Sequence, residues 1–466
     1  MRHFTRWTAL AALCAAAAAA AQTPLPEASG YPLEIDFATD PVLGLRRAQT
    51  DFERFRAAIA AAVEDHPGTA EAAATEDEAL GLVREVRAGQ RPTIDATITS
   101  YRVISREFSN DPTNIIERSR PEQRTDAILS VQQTVFDFGA TARRAAAAGA
   151  RLRSAGADLE ATAAGVALNA VAAWYDVFAY RALVGLTEAF VDSQRDLRAA
   201  VELRIREGVS AEGDLARIDS YIAQALTRLA RFRRLLANAE ARYFELIGSP
   251  PPADLERAPA PVVPVGNRDE AALAAMDAPA VRSARAIADA ARQEARAARA
   301  DMLPQISAGV DAGRYGVFEN ERDYDIRGRV AMRWRLLGNT DARADQAEAR
   351  GRAADARADR IAEEAGRDAA IAWSDVRALE QQLEALEAAY VASRRSRDVI
   401  VERFRAARGT LFDVVAAEDA YFEAATSYIQ ALTELDAARY ILLSRTGRLL
   451  EILEIDADRL RGEGER

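Results

Sequence analysis

The chain is short of the residues from which most enzyme centres are built. Among 466 residues there are one cysteine, two histidines and no lysine. Cys14 lies in the leading apolar run, so the sequence beyond it has no thiol for a disulfide framework or a cysteine metal site. His66 is the only histidine past the third residue, which leaves imidazole catalysis and zinc binding nothing to build on. Beside Asp65 it reads as a solvated side chain. No Gly-rich phosphate loop and no nucleophile–base pairing occurs, so no catalytic, cofactor or metal site is expected. After the first 21 residues no stretch approaches 18 strongly apolar positions, which excludes a bilayer-spanning helix. The formal charge of −11 becomes −13 without Arg2 and Arg6, and so acidic a chain is a poor partner for nucleic acid.

What is present begins with an export signal. Arg2, His3 and Arg6 precede an apolar run over residues 7–21, and Ala19, Ala20 and Ala21 precede Gln22. This layout suits signal peptidase and predicts a signal peptide at 1–21. Leu13 stands where a lipid-anchored protein needs a small residue before its cysteine, so lipidation is not expected. The rest is dominated by Ala, Arg, Glu and Leu, with 7% aromatics, a composition that leans toward long helices.

A duplication organises the chain. At an offset of 199, Gly139 falls on Gly338, Trp174 on Trp373, Arg195 on Arg394, Asp214 on Asp413 and Gly248 on Gly447. Upstream, Pro92-Thr93-Ile94-Asp95-Ala96 resembles Pro304-Gln305-Ile306-Ser307-Ala308 at an offset of 212. The difference of 13 residues places an insertion in the first copy at about 107–122, a segment whose Asn110-Asp111-Pro112 and Pro121 read as loop.

Each copy reads as a strand pair followed by a very long helix. Tyr324, Ile326, Val330, Met332, Trp334 and Leu336 alternate with Asp325, Arg327, Arg329, Arg333 and Arg335, a period of two that no helix would segregate. Its partner starts at Pro304. In the first copy, Ala127, Leu129, Val131 and Val135 alternate with polar residues, and 93–106 is the weaker partner. Such segments are long enough to cross a membrane as tilted strands, apolar toward lipid and with Arg327, Arg329, Arg333 and Arg335 toward a lumen. A soluble sheet with one wet face is the alternative. Four strands cannot close a barrel, and open edges are not tolerated in lipid, so a membrane role requires several chains to share one barrel.

Gly139 and Gly338 then introduce proline-free sequence. The first helix should reach about Glu207 and span about 100 Å at about 1.5 Å per residue. Ala365, Ala369, Ala372, Val376, Leu379, Leu383, Leu386 and Tyr390 alternate spacings of four and three, a coiled-coil seam. Trp174 and Trp373 beside it read as packing knobs. Breaks at 208–210 and 408–410 turn the chain into a return helix. Ser210 can cap the first one. Asp214 and Asp413 sit near the N-termini, where capping and helix-dipole electrostatics alone would account for them.

The predicted order is an N-terminal segment with short helices at 22–91, a strand pair at 92–138 and a helical hairpin at 139–248. A Pro-rich linker follows at 249–266 and short helices at 267–303. A second strand pair at 304–337, a second hairpin at 338–448 and a tail at 449–466 complete it.

Gln132-Gln133-Thr134-Val135-Phe136-Asp137-Phe138-Gly139 and Arg403-Phe404-Arg405-Ala406-Ala407-Arg408-Gly409-Thr410-Leu411-Phe412-Asp413-Val414-Val415 resemble two motifs of the TolC family of outer-membrane efflux and secretion channels. The first is similar to its aromatic-Asp-aromatic-Gly approach to the helical barrel, the second to its hairpin, with Ala407 for a usual glycine and Val415 for a usual leucine. The resemblance implies a mainly α chain with a membrane β-barrel part: a homotrimer with a twelve-stranded barrel continuous with a periplasmic α-helical barrel. It also implies a periplasmic adaptor (membrane-fusion) protein and an inner-membrane pump of ABC or RND type as partners, outer-membrane lipid around the strands, and passive passage of cargo. The hairpin tips would form the entrance. Asp413 matches an acidic ring there, Phe404 a constricting aromatic, and Arg405 and Arg408 positions for ionic latches. A second family aspartate is Ala416 here, for which Glu418 could substitute. Two rivals remain at this point: a periplasmic coiled-coil scaffold, disfavoured because two hairpins each follow amphipathic strands, and an exported enzyme, disfavoured by the missing constellation.

Overall fold

A computed structural model describes residues 25–109, 111–319, 323–336, 338–406 and 408–461. The expected signal peptide at 1–21, with Cys14, and Ala407 lie outside the described residues. The elements run α1 (Pro41–Gly44), α2 (Phe52–Asp65), α3 (Pro67–Ala88), β1 (Thr93–Arg102), α4 (Ile115–Ser119), β2 (Gln123–Phe136), α5 (Ala140–Arg206) and α6 (Glu212–Ile247). They continue with α7 (Arg268–Ala274), α8 (Pro279–Ala300), β3 (Gln305–Arg314), β4 (Tyr324–Arg333), α9 (Thr340–Arg405), α10 (Leu411–Arg445), α11 (Leu449–Ile452) and α12 (Ala457–Leu460). Among the described residues no helix is long and apolar enough to cross a membrane.

The duplication reaches further upstream than sequence matching shows. α3 and α8 are both 22 residues long, both begin on proline, and lie 212 positions apart like β1 and β3. Proline at the first helical position loses no bond, because that N–H has no partner inside the helix. Gly248 and Gly447, matched at the other offset, both take left-handed φ, 76° and 72°, and stop the two return helices. The inserted segment is not all loop, since it holds α4. β4 ends at Arg333, short of the full alternating run.

The described residues divide into two compact units. One comprises 25–71, 160–278 and 364–461. Its predicted seam is buried: Ala369, Ala372, Val376, Leu383 and Tyr390 of α9 join Tyr421, Phe422, Tyr428 and Ile429 of α10 in one cluster. In a second cluster Trp174 packs edge-on against Phe55 of α2, with ring centroids 5.3 Å apart. Alanine keeps axes close while the aromatics fill the larger gaps.

The Pro-rich stretch 249–266 is no free linker. It supplies backbone acceptors to Trp174 Nε1 (Glu256, 3.0 Å), the Tyr175 hydroxyl (Ala258, 3.1 Å) and the Tyr440 hydroxyl (Pro259, 2.9 Å). Arg257 forms a bidentate pair with Asp436 at 2.5 and 2.8 Å, and both side chains are buried. Prolines cannot donate, but their carbonyls and pinned φ make a stiff strap of acceptors. The C-terminal segment is likewise held, as Leu449 and Leu453 are fully buried. His66 is half-buried, not simply solvated, and its Nδ1 accepts from the Gly68 N–H at 3.0 Å.

The other unit comprises 72–159 and 279–363. It holds a four-stranded antiparallel sheet ordered β1-β2-β3-β4. Its helices carry a small alanine cluster, Ala284, Ala288 and Ala358. Exposed pairs such as Arg153–Asp289 (2.7 Å), Arg292–Asp355 (2.5 Å) and Arg299–Glu348 (2.7 Å) join them.

Candidate functional site: a two-faced sheet and two hairpin tips

The sheet register sorts the side chains by chemistry. Ile94, Ile98, Leu129, Val310, Ile326, Val330 and Met332 share one face, because Ile94 pairs with Val131, Val131 with Val310, and Ala312 with Ile326. Asp95, Ser130, Asp311 and Arg327 line one row of the other face. The apolar face is uncovered: Ile98 is 76% exposed and Val330 77%. A water-soluble sheet would bury that face, and a contiguous uncovered apolar surface marks contact with lipid or protein. Ten-residue strands suit a membrane of about 30 Å when tilted. Among the described residues β1 and β4 each have one strand neighbour, so two edges stand open.

Arg327, Arg329 and Arg333 lie on the polar face as the alternation predicts, and Arg335 follows just past the end of β4. Arg327 is ion-paired with Asp325, and Arg124 with Asp126 at 2.6 Å. Trp334, also beyond β4, donates its Nε1–H to the Met302 carbonyl at 3.1 Å.

The motif before α5 has a local cause. Phe138 (φ 52°) and Gly139 (φ 84°) are left-handed and swing the chain from strand into helix. Asp137 caps the new helix, accepting from the Thr141 N–H (2.7 Å), the Thr141 hydroxyl (2.5 Å) and the Gly139 N–H (3.0 Å). Burial pushes its carboxyl up, but these hydrogen bonds and the Arg144 charge outweigh that and hold it below the usual carboxylate range. The matching position in the second copy is Leu336, which has no acceptor to offer.

In the helical unit the two hairpin tips differ. At the second, Thr410 Oγ1 accepts from the Asp413 N–H at 3.2 Å, and the Asp413 carboxylate accepts from the Thr410 N–H at 3.2 Å and hydroxyl at 2.7 Å. This is a complete capping box. At the first, the cap is Ala211 and not Ser210, and no side chain caps α6. The offset of 199 puts Ala211, not Ser210, opposite Thr410, and Ser210 lies one residue too early. Asp214 is half-buried in the first turn, and Asp413 is exposed.

Phe404 is buried within the protomer. It is 5% exposed, packs with Val201, Ile218, Leu411, Val414 and Val415, and lies under the Arg204 guanidinium at 4.2 Å. Arg204 also donates to the Phe404 carbonyl at 3.0 Å, which joins the two tips. Arg405 pairs with Glu402 in its own helix at 2.8 Å, and Arg408 is exposed.

Glu418 does not replace the acid missing at Ala416. Ala416 is exposed, whereas Glu418 is 4% exposed and pairs inward with Arg397 at 3.2 Å. Two residues along a helix is about 200° of rotation, so the two positions face opposite ways. Burial pushes the Glu418 carboxyl up and Arg397 pulls it back, with the net direction upward.

The surrounding network was not anticipated. Arg397, 1% exposed, also meets Asp398 at 2.6 Å, donates to the Pro26 carbonyl at 2.8 Å and stacks on Tyr421 at 4.4 Å. Asp40 takes the Tyr390 hydroxyl at 2.9 Å and pairs with Arg394.

Long helical hairpins and a sheet with one bare apolar face are the architecture of an outer-membrane channel subunit. The profile of the Outer membrane efflux protein family matches residues 51–249 and 272–448, and the chain belongs to that family and to the outer membrane. Outer membrane efflux protein BepC of Brucella suis biovar 1 (strain 1330) is 23% identical over 335 residues, 70% of this chain and 74% of that protein. The fold is shared with the solved outer-membrane channel OprN (TM-score 0.74, 19% identity, 87% of this chain and 91% of that one). It is shared equally with outer membrane protein VceC of Vibrio cholerae (TM-score 0.74, 17% identity, 85% and 96%).

Proposed function

We propose that three copies of the chain close a twelve-stranded barrel in the outer membrane, continuous with a helical tunnel in the periplasm. The assembly is the passive exit duct of a tripartite efflux or type I secretion system, fed by an inner-membrane pump through a periplasmic adaptor. The observation that carries this reading is the four-stranded sheet with two open edges and a bare apolar face. In hydrocarbon each unpaired backbone group costs several kcal/mol, so the edges of β1 and β4 must be met by other copies. Arg327, Arg329, Arg333 and Arg335 then line the lumen. The hairpin tips form a gate, with Asp413 and Asp214 near the opening and Arg405 and Arg408 as latch partners. Phe404 and Glu418 support it from inside the protomer.

Light scattering in detergent should give a trimer, and planar bilayers should show discrete channels. A soluble monomer would overturn the reading. Asp413→Ala should change both conductance and block by divalent cations; if neither moves, the gate assignment fails.

A further inference from the structure

We infer that Arg329 and Arg333 form an anion-binding band at the helix-proximal end of the pore, so that the conduit favours anionic solutes. The inference rests on the trimeric barrel reading above.

Charge is not spread evenly along the polar face. The end of the sheet nearest the helices is where β1 and β3 begin and β2 and β4 end. There the rows are Gln305 with Arg333, then Thr134, Ser307 and Ala331, then Thr93, Gln132, Gly309 and Arg329. No carboxylate occurs in them. The carboxylates lie farther out: Asp95 and Asp311 beside Arg327, then Asp325, then Asp126 with Arg124. Arg327 and Arg124 are ion-paired locally. Arg329 and Arg333 are exposed, and among the described residues neither is ion-paired.

Four residues of strand separate them, about 14 Å at about 3.4 Å per residue. The band is thus longer than the screening length of about 8 Å in physiological salt. A twelve-stranded wall with about 4.8 Å between strands and a tilt near 40° is about 24 Å across. Arginines reaching in from all sides leave an opening comparable with that screening length, so their field crosses it. Gly309, opposite Arg329, presents no side chain that would fill the space beside the guanidinium. Guanidinium is weakly hydrated and grips carboxylate or phosphate with paired N–H groups, which suits transient binding of passing anions.

The test is the reversal potential of the full-length oligomer in planar bilayers under a tenfold KCl gradient, followed by addition of inorganic tripolyphosphate. The wild type should reverse on the chloride side and be blocked by tripolyphosphate. R329Q/R333Q should lower the chloride-to-potassium permeability ratio at least threefold and relieve the block, while R329K/R333K should keep most of both. Channels that conduct but prefer potassium and ignore tripolyphosphate would overturn the inference and leave the barrel standing. A double glutamine variant that conducts like wild type would overturn it too. If the wild type forms no channels at all, the barrel reading fails and takes the band with it.

Discussion

The two units of this chain solve stability in opposite ways. The helical unit buries Trp174, Tyr243, Tyr390, Tyr421 and Tyr440 almost completely and hides whole ion pairs, Arg257–Asp436 and Arg397–Glu418, inside itself. The sheet-bearing unit buries mostly alanine with Val83, Leu159 and Val281, leaves ion pairs such as Arg292–Asp355 in water, and carries a sheet whose last strand is almost wholly exposed. The first has a core of its own. The second leaves an apolar sheet face and two strand edges uncovered, and in the proposed barrel lipid and further copies would cover them.

Breaking the core should cost most. Asp436→Ala leaves Arg257 buried without a counter-charge and is expected to destabilise by about 3–5 kcal/mol. Arg292→Ala, at an exposed pair of the other unit, should cost less than about 1 kcal/mol; urea midpoints followed by circular dichroism compare the two. Val330→Arg puts a charge on the bare apolar face of the sheet and, in the proposed barrel, should cost about 2–4 kcal/mol near mid-membrane. Heat-resistant oligomers on gels should vanish while helical dichroism persists. Thr410→Ala should cost about 1 kcal/mol at the second tip, and Ala211→Ser should add a similar amount to the first. Amide exchange at the two tips reads both effects. The smallest effect is pH-dependent. The Asp137 carboxyl lies below its unfolded value, so its contribution is complete above about pH 4 and is lost as pH falls through the folded value. Asp137→Asn should weaken protection of the first turn of α5 at pH 7 by about 1 kcal/mol or less and flatten its acid dependence.

Legibility followed the range of the interaction. The alternation over 324–336 reads as strand because side chains alternate with a period of two whatever they touch, and β4 carries that alternation. The seam from Ala365 to Tyr390 is legible for the same reason at the helical period. The packing of the linker 249–266 is not legible, because its partners, Asp436 and Tyr440, lie about 180 residues away and leave no local pattern. Phe404 and Glu418 were placed by position in a motif, and a motif does not say which way a side chain on a helix faces. The capping box at Thr410 and Asp413 is local, and the sequence shows it plainly once the offset of 199 is applied with no slip.

By itself the sequence determined the two-fold repeat, the element types, the polar and apolar faces of the strands and the family. Each of these is a periodicity or a short motif, set by backbone geometry within a few residues. Only the tertiary structure decided that the proline-rich strap is a clasp, that Arg397 sits in a buried charge network, and that Arg329 and Arg333 lie without a carboxylate beside them on the polar face of the sheet. Those depend on which residues meet across strands and helices, and packing alone chooses that.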